Sequence, residues 1–580
     1  MVTPVAMPQR SDRRASVSID SWIRIGLVVA AFAPFVGTLF YGFIFDDTVI
    51  LLHNPVIRGW TSLLEVWRRR YFANGGPEQS GLYRPLLMAF FALIWNAAHG
   101  FAIAFHLFAV TAHAVATLLV AKLLRRGVGR WAAAGGALWF ALLPVHVEAV
   151  ASVANVSEVL VSIWTVLLAL WLLPPRDTPA SSSNAPGWGR AVVAAILYAA
   201  ALLSKESGGV APGLALLAVV AWRRSAASDA LGDVLVWSRG WLRVIALWIA
   251  ALVAVMIVRR IVLGGVVGTG SMAVPGLAGL SAGQRILATL SLGGRAAQLL
   301  LWPTTQSPDY GPSALAPEPA RAIAATVTIV TILTMLVACY RLAWRAHRPD
   351  SRPLAGVGWC LLASLPASNL LGATGAVLAE RTLYVSSVGV AMIVAWGLDR
   401  ILERVAERRQ SHAGFVVRIM PIAATVAFAA VCARGYVQAR EYSRVWRDHR
   451  TLFTQIVRAD SLSYRGYQLL ALEAKDNRRY EESAALYARA YALLPSDPLL
   501  LADYGEYLLE MKRPRYALAM GQRLFRHADR WTDSRAVTLL LTATGRVWGA
   551  DSVRAAAQRL QAHAPNALAA HASASPEPQE

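Results

Sequence analysis

Cysteine is nearly absent from this 580-residue chain: Cys339, Cys360 and Cys432 stand alone, inside or beside apolar stretches. Their isolation excludes a disulfide framework and a thiolate metal site, and all three read as small packing residues. Charge is sparse as well, at 16 % of residues, and acids are outnumbered by Lys and Arg, 35 against 56. The formal charge of +21 raises the question of a polyanion, yet no interleaved basic and aromatic surface occurs outside short loops, which argues against nucleic acid as a partner. A cleavable signal peptide is lacking too, because the apolar run after Arg24 is too long for one and reads as a first membrane anchor.

What fills the chain instead is hydrocarbon. The hydrophobic share is 56 % and the mean hydropathy +0.45, far from a soluble average. Apolar stretches of about 17 to 25 residues, enough to cross a hydrocarbon core about 30 Å thick, recur between residues 24 and 434. The arginines gather in loops between them: Arg10, Arg13, Arg14 and Arg24; Lys122, Arg125, Arg126 and Arg130; Arg223, Arg224, Arg239 and Arg243; Arg341, Arg345, Arg348 and Arg352; Arg400, Arg404, Arg408 and Arg409. With basic loops placed inside, about eleven membrane helices follow, near 25–45, 103–123, 131–145, 157–173, 190–203, 208–222, 243–262, 321–341, 355–371, 384–400 and 415–434. Two leftover apolar pieces, 85–98 and 286–302, read as helices lying in or dipping into the outer interface. This topology predicts a cytoplasmic segment 1–24, a membrane domain 25–434 and an external domain from 435, with "PPRDTPASSSNAPGWG" from Pro174 as a flexible inward linker.

The outward loops hold the unusual polar residues. A carboxylate costs about 2.5–3.5 kcal/mol or more at the centre of a bilayer, so the adjacent Asp46 and Asp47, following twenty uncharged residues at 26–45, belong at or beyond the interface. Two half-shielded carboxylates side by side titrate as a coupled pair with one pKa raised, which makes one a usable base near neutral pH. Read alone, the pair is equally a helix end solvated by headgroup water. "PVHVEAV" sets His146 and Glu148 two apart at a Pro-containing helix end, which suits a non-helical turn presenting both to one cavity. Lys205 with Glu206, and Glu380 with Arg381, are acid–base neighbours between apolar runs, where function or mutual pairing is what favours them. Arg84, Lys205 and Arg381 could hold a lipid-linked phosphate while an Asp takes a proton from a hydroxyl. The triplet Arg68, Arg69 and Arg70 breaks the inside-positive trend, and with Trp67, Tyr71 and Phe72 it reads as an interfacial helix.

Toward the C-terminus the pattern becomes polar, helical and repetitive. Tyr480, Ser483, Tyr487, Ala490 and Pro495 fall at the spacing of a 34-residue tetratricopeptide helix pair, with Leu470 and Ala471 before them. Gly505 and Ala517 recur 34 residues after Ala471 and Ser483, where small side chains let two helices approach. About two and a half units over 435–565 are expected, the last ending near Pro565, then a disordered tail 566–580.

Taken together, "FDDTVILLHNP" from Phe45, "YRPLLMAFFALIW" from Tyr83, "PVHVEAVA" from Pro144, "LLSKESG" from Leu202, "ERTLYVSSVGV" from Glu380 and the terminal repeats resemble the transmembrane and tetratricopeptide-repeat O-mannosyltransferase family, related to the protein O-mannosyltransferases of the GT-C glycosyltransferase fold. The resemblance covers nearly the whole chain. It implies an all-α protein: a polytopic GT-C-like membrane bundle followed by a short tetratricopeptide α-solenoid. It implies transfer of a sugar, typically mannose, from a polyprenyl- or dolichyl-phosphate onto Ser or Thr hydroxyls of an acceptor protein held by the repeats. By the same likeness Asp46 or Asp47, with a slight preference for Asp47, is the base; His146, Glu148, Lys205, Glu206 and Arg381 line the donor and acceptor cavity, and Arg84 and Glu380 join them as substrate-binding residues on the reading of the outer loops; and neither metal nor other cofactor is implied. A bacterial inner membrane with an external active site is the expected location, and a catalytically silent membrane scaffold that recruits a partner through its repeats is the alternative.

Overall fold

The computed structural model describes residues 10–71, 81–173, 186–226, 239–265, 276–277, 280–315, 317–345, 350–371, 374–410, 415–527 and 533–563. Phe72, most of the Pro/Ser-rich segment from Pro174, the repeat end at Pro565 and the tail 566–580 lie outside these residues. Within them the chain is helical and holds no strand. In lipid that is the economical solution for an open chain, since a helix satisfies its backbone groups within itself.

Each of the eleven expected membrane segments is a helix. Seven are long and apolar enough to cross on their own: Ile19–Phe40, Ala102–Leu124, Val153–Leu172, Gly240–Leu263, Pro319–Arg341, Glu380–Glu407 and Ile422–Val445. An eighth, Arg130–Leu142 with Pro144–Ala151, is bent by 51°. The bend follows from Pro144, which pushes Leu143 out of the helical region to φ −71°, ψ 120°. The remaining three, Trp188–Ser204, Glu206–Trp222 and Arg352–Ser364, are too short to cross on their own, and only the last is shorter than its expected segment, 355–371. At about 1.5 Å per residue, the last spans roughly 20 Å and is shielded by the neighbouring helices Tyr384–Gln410 and Ala211–Ala226.

The leftover piece 85–98 is the helix Pro85–Ala97, whose two ends return to the same loop: Arg84 precedes it, and Asn96 near its end donates to Ile57 O and Gly59 O. The piece 286–302 is divided between two short helices, Ala282–Ser291 and Gly293–Leu301. The expected interfacial helix around Arg68 is likewise only the turns Ser62–Glu65 and Val66–Arg68, and Tyr71 is buried instead of facing headgroups.

Ser157–Leu172 forms the centre of the bundle, packed against Ala102–Leu124, Trp188–Ser204 and Ala211–Ala226. Val153–Leu172 is 89 % buried by protein, against 17 % for Gly240–Leu263 and 11 % for Pro319–Arg341. Apolar helices so little covered by protein are the ones whose surface suits lipid. Between other helices, small residues set the spacing. A Cβ on Gly389 would stand 2.4 Å from Gly356 O, and one on Gly136 would stand 2.7 Å from the Ala395 Cβ, so three helices meet nearly backbone to backbone.

The last membrane helix, Phe415–Val445, passes residue 434 without a break. The next, His449–Ala459, begins at an Asp448 cap that accepts from Thr451 N at 2.8 Å. Its Leu452, Phe453 and Ile456 belong to the membrane domain's own core, whereas the helices beyond have a separate one. Those helices form three antiparallel pairs, Tyr464–Asp476 with Tyr480–Leu493, Pro498–Glu510 with Pro514–His527, and Asp533–Trp548 with Ala550–His563. The first two pairs repeat at 34 residues. Small residues do what the spacing asks: Ser483 Oγ reaches Ala471 O at 2.9 Å, and a Cβ on Gly505 would stand 2.3 Å from Leu539 Cδ2.

Gly389→Ala is expected to destabilise the detergent-solubilised protein by about 1–3 kcal/mol through overpacking against backbone. Gly397→Ala, on the same helix with open space around it, is expected to be neutral or stabilising. Melting temperatures of the two variants check the contrast.

Candidate functional site

The chain reaches the paired acids through a stop signal. Pro34 ends the regular turns of Arg10–Phe32, the tighter turn Ala33–Phe40 follows, and an extended stretch leads to Phe45. Phe45 lies in the left-handed region at φ +52°, an uncommon place for a bulky side chain. A turn is closed across it, with Asp47 N donating to Ile44 O and Thr48 Oγ1 to Phe45 O at 2.7 Å.

This geometry sends the two acids different ways. Asp47 is fully buried and accepts from Ala154 N at 2.7 Å, Val153 N at 3.3 Å and Ser152 Oγ at 3.4 Å, so its carboxylate caps the start of Val153–Val156 and of the central helix behind it. Burial pushes its pKa up to about 7, opposed by the Ala154 amide and reinforced by the charge of Asp46. Asp46 is half-buried, and its carboxylate makes no hydrogen bond among the described residues. It lies within electrostatic reach of Arg381, Tyr71 and Arg465.

Around it is a set of ion pairs drawn from separate helices. Arg84, before Pro85–Ala97, directs Nε and Nη2 at one oxygen of Glu206, at 3.0 and 2.9 Å, and its guanidinium stacks 4.9 Å over the ring of the buried Tyr71. Arg259 also reaches Glu206, at 3.2 Å. Lys205 stands in extended backbone after Trp188–Ser204 and pairs with Glu158 at 2.7 Å. Burial pulls the Lys205 ammonium below its usual range, while Glu158 opposes that and the nearby Arg84 and Arg381 add to it. Arg381 donates its backbone N–H to Glu148 at 2.9 Å and pairs with the same carboxylate through Nη1. Glu148 and Glu158 are each 1 % exposed, so these pairs hold charge that has left water.

Of the residues chosen from sequence, the structure therefore brings Asp46, Arg84, Glu148, Lys205, Glu206 and Arg381 into one connected network. Two others face elsewhere. His146 Nε2 meets Ser387 Oγ at 2.7 Å and its ring lies among Phe140, His113 and Tyr384, within the bundle. His146 and Glu148 sit on a helical turn, not the non-helical one expected, and residues two apart on a helix do not share a face. Glu380 is fully buried and accepts from Tyr310 Oη at 2.7 Å, Gln306 Nε2 at 2.8 Å and Ser307 N at 2.9 Å, anchoring the loop after Gly293–Leu301. Nor are the acid–base neighbours paired with each other: Lys205 and Glu206 take separate partners, as do Glu380 and Arg381.

Three members were missed in the sequence. Glu158 opens the apolar helix Ser157–Leu172, and Arg259 closes the apolar Arg239–Leu263, both charges in hydrophobic surroundings that could have marked them. Tyr71 carried no such signal, since its burial depends on the fold.

No family model matches the chain. It is similar to Protein O-mannosyl-transferase TMTC3 of Mus musculus, 23 % identical over 520 residues, which cover 85 % of this chain and 54 % of that protein. The Homo sapiens protein of the same name is 22 % identical over 515 residues, covering 85 % and 53 %. Protein O-mannosyl-transferase Tmtc2 of Drosophila melanogaster is 33 % identical over 186 residues, 30 % of this chain and 19 % of that one. The chain thus spans about half the length of the first two relatives. Among solved structures, the Archaeoglobus fulgidus oligosaccharyltransferase tethered with an acceptor peptide aligns over 80 % of this chain and 58 % of that one, at a TM-score of 0.38 and 13 % identity. The family likeness read from the motifs accordingly extends along most of the sequence.

The raised pKa of Asp47 has a stability consequence with a definite sign. Its folded value of about 7 exceeds the ordinary 3.8, so the folded state holds the proton longer than the unfolded one, and stability falls as pH rises from about 4 to 7 and then levels. Asp47→Asn keeps an acceptor for the Ala154 amide and removes the titration. Melting temperatures across that range are expected to fall less in the variant than in the wild type.

Proposed function

We propose that this integral membrane protein transfers a sugar, mannose by its family likeness, from a polyprenyl- or dolichyl-phosphate donor onto Ser or Thr hydroxyls of a protein acceptor. The observation that carries the reading is the contrast between the two acids: Asp47 is engaged with three donors, whereas Asp46 has no hydrogen bond among the described residues and lies within electrostatic reach of Arg381. Asp46 is therefore the better base, against the slight preference for Asp47 that the sequence suggested. Its carboxylate takes the proton as the acceptor oxygen bonds to the anomeric carbon. The bond from that carbon to the phosphate oxygen breaks, and the phosphate leaves with the electron pair. One displacement of this kind inverts the anomeric centre and yields glycosylated protein, lipid phosphate and a proton.

The cations suit the leaving group. Arg84 and Arg259 both reach Glu206, and Lys205 has three N–H donors with Glu158 as its charged partner. A phosphate arriving there meets fixed donors that need little reorganisation. Glu148 and Glu158 act by holding Arg381 and Lys205 in place. Because the basic loops mark the cytoplasmic end, this cluster belongs on the external face, which for a chain of this composition we take as the periplasmic side of a bacterial inner membrane. The helix pairs, with Tyr487 stacked on Tyr504 at 5.1 Å between successive pairs, offer a surface for the acceptor.

Two outcomes test the assignment, with dolichyl-phosphate mannose and a Ser/Thr-rich peptide as probes. Asp46→Asn is expected to lower turnover by about 10²–10⁴-fold, the usual worth of a general base, with folding intact; undiminished release of lipid phosphate would falsify the assignment. Arg381→Met is expected to lower turnover at least tenfold and also to destabilise the protein by about 3–5 kcal/mol, because Glu148 is left buried without its paired guanidinium.

A further inference from the structure

We propose that His449, at the start of the helix His449–Ala459, is a positioning residue for the catalytic acid: it holds the backbone of Phe45 so that Asp46 faces the cations. The inference rests on the reading of Asp46 as the base and adds a role for a segment that the sequence had grouped with the repeats.

Phe45 directly precedes Asp46 and has a backbone conformation that L-residues adopt at a cost, at φ +52°. Something must hold it there. Its N–H donates to His449 Nε2 at 3.1 Å, a contact across 404 residues of sequence. The donor is an amide, so that imidazole nitrogen presents its lone pair. The Phe45 ring meets Phe453, one turn further along the same helix, edge to face with centroids 5.9 Å apart. One helix therefore grips both the main chain and the side chain of the residue before the acid.

The same helix also reaches the segment that carries Arg381. Gln455 Nε2 donates to Gln306 O at 2.8 Å, and the Gln306 side chain donates to Glu380 at 2.8 Å and to Pro144 O at 2.9 Å. Acid and cation thus sit on loops that are tied to two successive turns of one element. Its footing is firm, since Leu452 is fully buried in the membrane core and Asp448 caps its first turn. A helix that served only to link the membrane domain to the repeats would not need to contact Phe45 through its backbone.

The test uses the full-length protein with three substitutions. His449→Ala removes the acceptor, and His449→Gln returns a carbonyl oxygen close to the place of Nε2. With dolichyl-phosphate mannose and a Ser/Thr-rich peptide, kcat of H449A is expected to fall about tenfold, the scale of one lost hydrogen bond at a positioned group. KM for the donor should stay within twofold, and H449Q should recover most of the loss. Hydrogen exchange supplies a readout independent of turnover: the peptide covering 42–50 should exchange faster in H449A than in wild type or H449Q, with the membrane helices unchanged. Wild-type kcat in H449A overturns the proposal, as does unaltered exchange at 42–50 or a glutamine variant as impaired as the alanine one. Asp46→Asn measured alongside separates the two claims. If D46N transfers normally, the base assignment fails and this role with it; if D46N is inactive while H449A is unaffected, only the role of His449 fails.

Discussion

Charge that has been taken out of water must find a partner, and at one end of this helix bundle that requirement sets the arrangement of the chain. Glu148 and Glu158 are almost wholly buried, and Glu206 is shared by two arginines. A carboxylate so placed is costly unless a cation is fixed beside it. Arg381, Lys205, Arg84 and Arg259 supply those cations from helices far apart in sequence, so the ion pairs connect segments that apolar packing alone would leave free to slide.

The opposite end of the bundle shows the same physics without an opening for chemistry. Asp350 takes Arg352, Arg400 and the Trp396 indole, and Arg352 also reaches Asp399 and Gly127 O. That network ties the turn at Gly127 and the start of Arg352–Ser364 to the helix Tyr384–Gln410 and gives Asp350 three donors. At the site end one acid, Asp46, is left without a hydrogen-bonding partner among the described residues, and a reacting hydroxyl needs an acceptor of that kind.

The boundary between the membrane domain and the helical repeats is less sharp than composition implies. Trp446, Leu452, Phe453 and Ile456 are polar-flanked residues in a stretch that looks soluble, yet they complete the membrane core. Arg465 at the start of the first repeat pairs with Asp309 at 3.9 Å, and Ser313 meets Asp460, so the first repeat and the linker before it touch the loop after Gly293–Leu301 that Glu380 anchors.

Much of this was legible in the residues by themselves. Apolar stretches at the length of a bilayer located the seven helices long enough to cross one and the bent eighth, because hydrocarbon leaves a lone segment no other way to satisfy its backbone, and the 34-residue recurrence of small and aromatic positions located two successive helix pairs. Charged residues stranded between apolar runs marked the polar end. The pairings were a matter for the tertiary structure. Lys205 and Glu206, Glu380 and Arg381, Asp46 and Asp47 are neighbours in the chain, and neighbouring side chains diverge, so within each pair the two take different surroundings: five find partners on other segments, and Asp46 has no hydrogen-bonding partner among the described residues. Which aspartate caps a helix and which stays free, and whether His146 faces the cavity or the core, depended on the turn at Phe45 and the bend at Pro144, and both are held by contacts with segments remote in sequence.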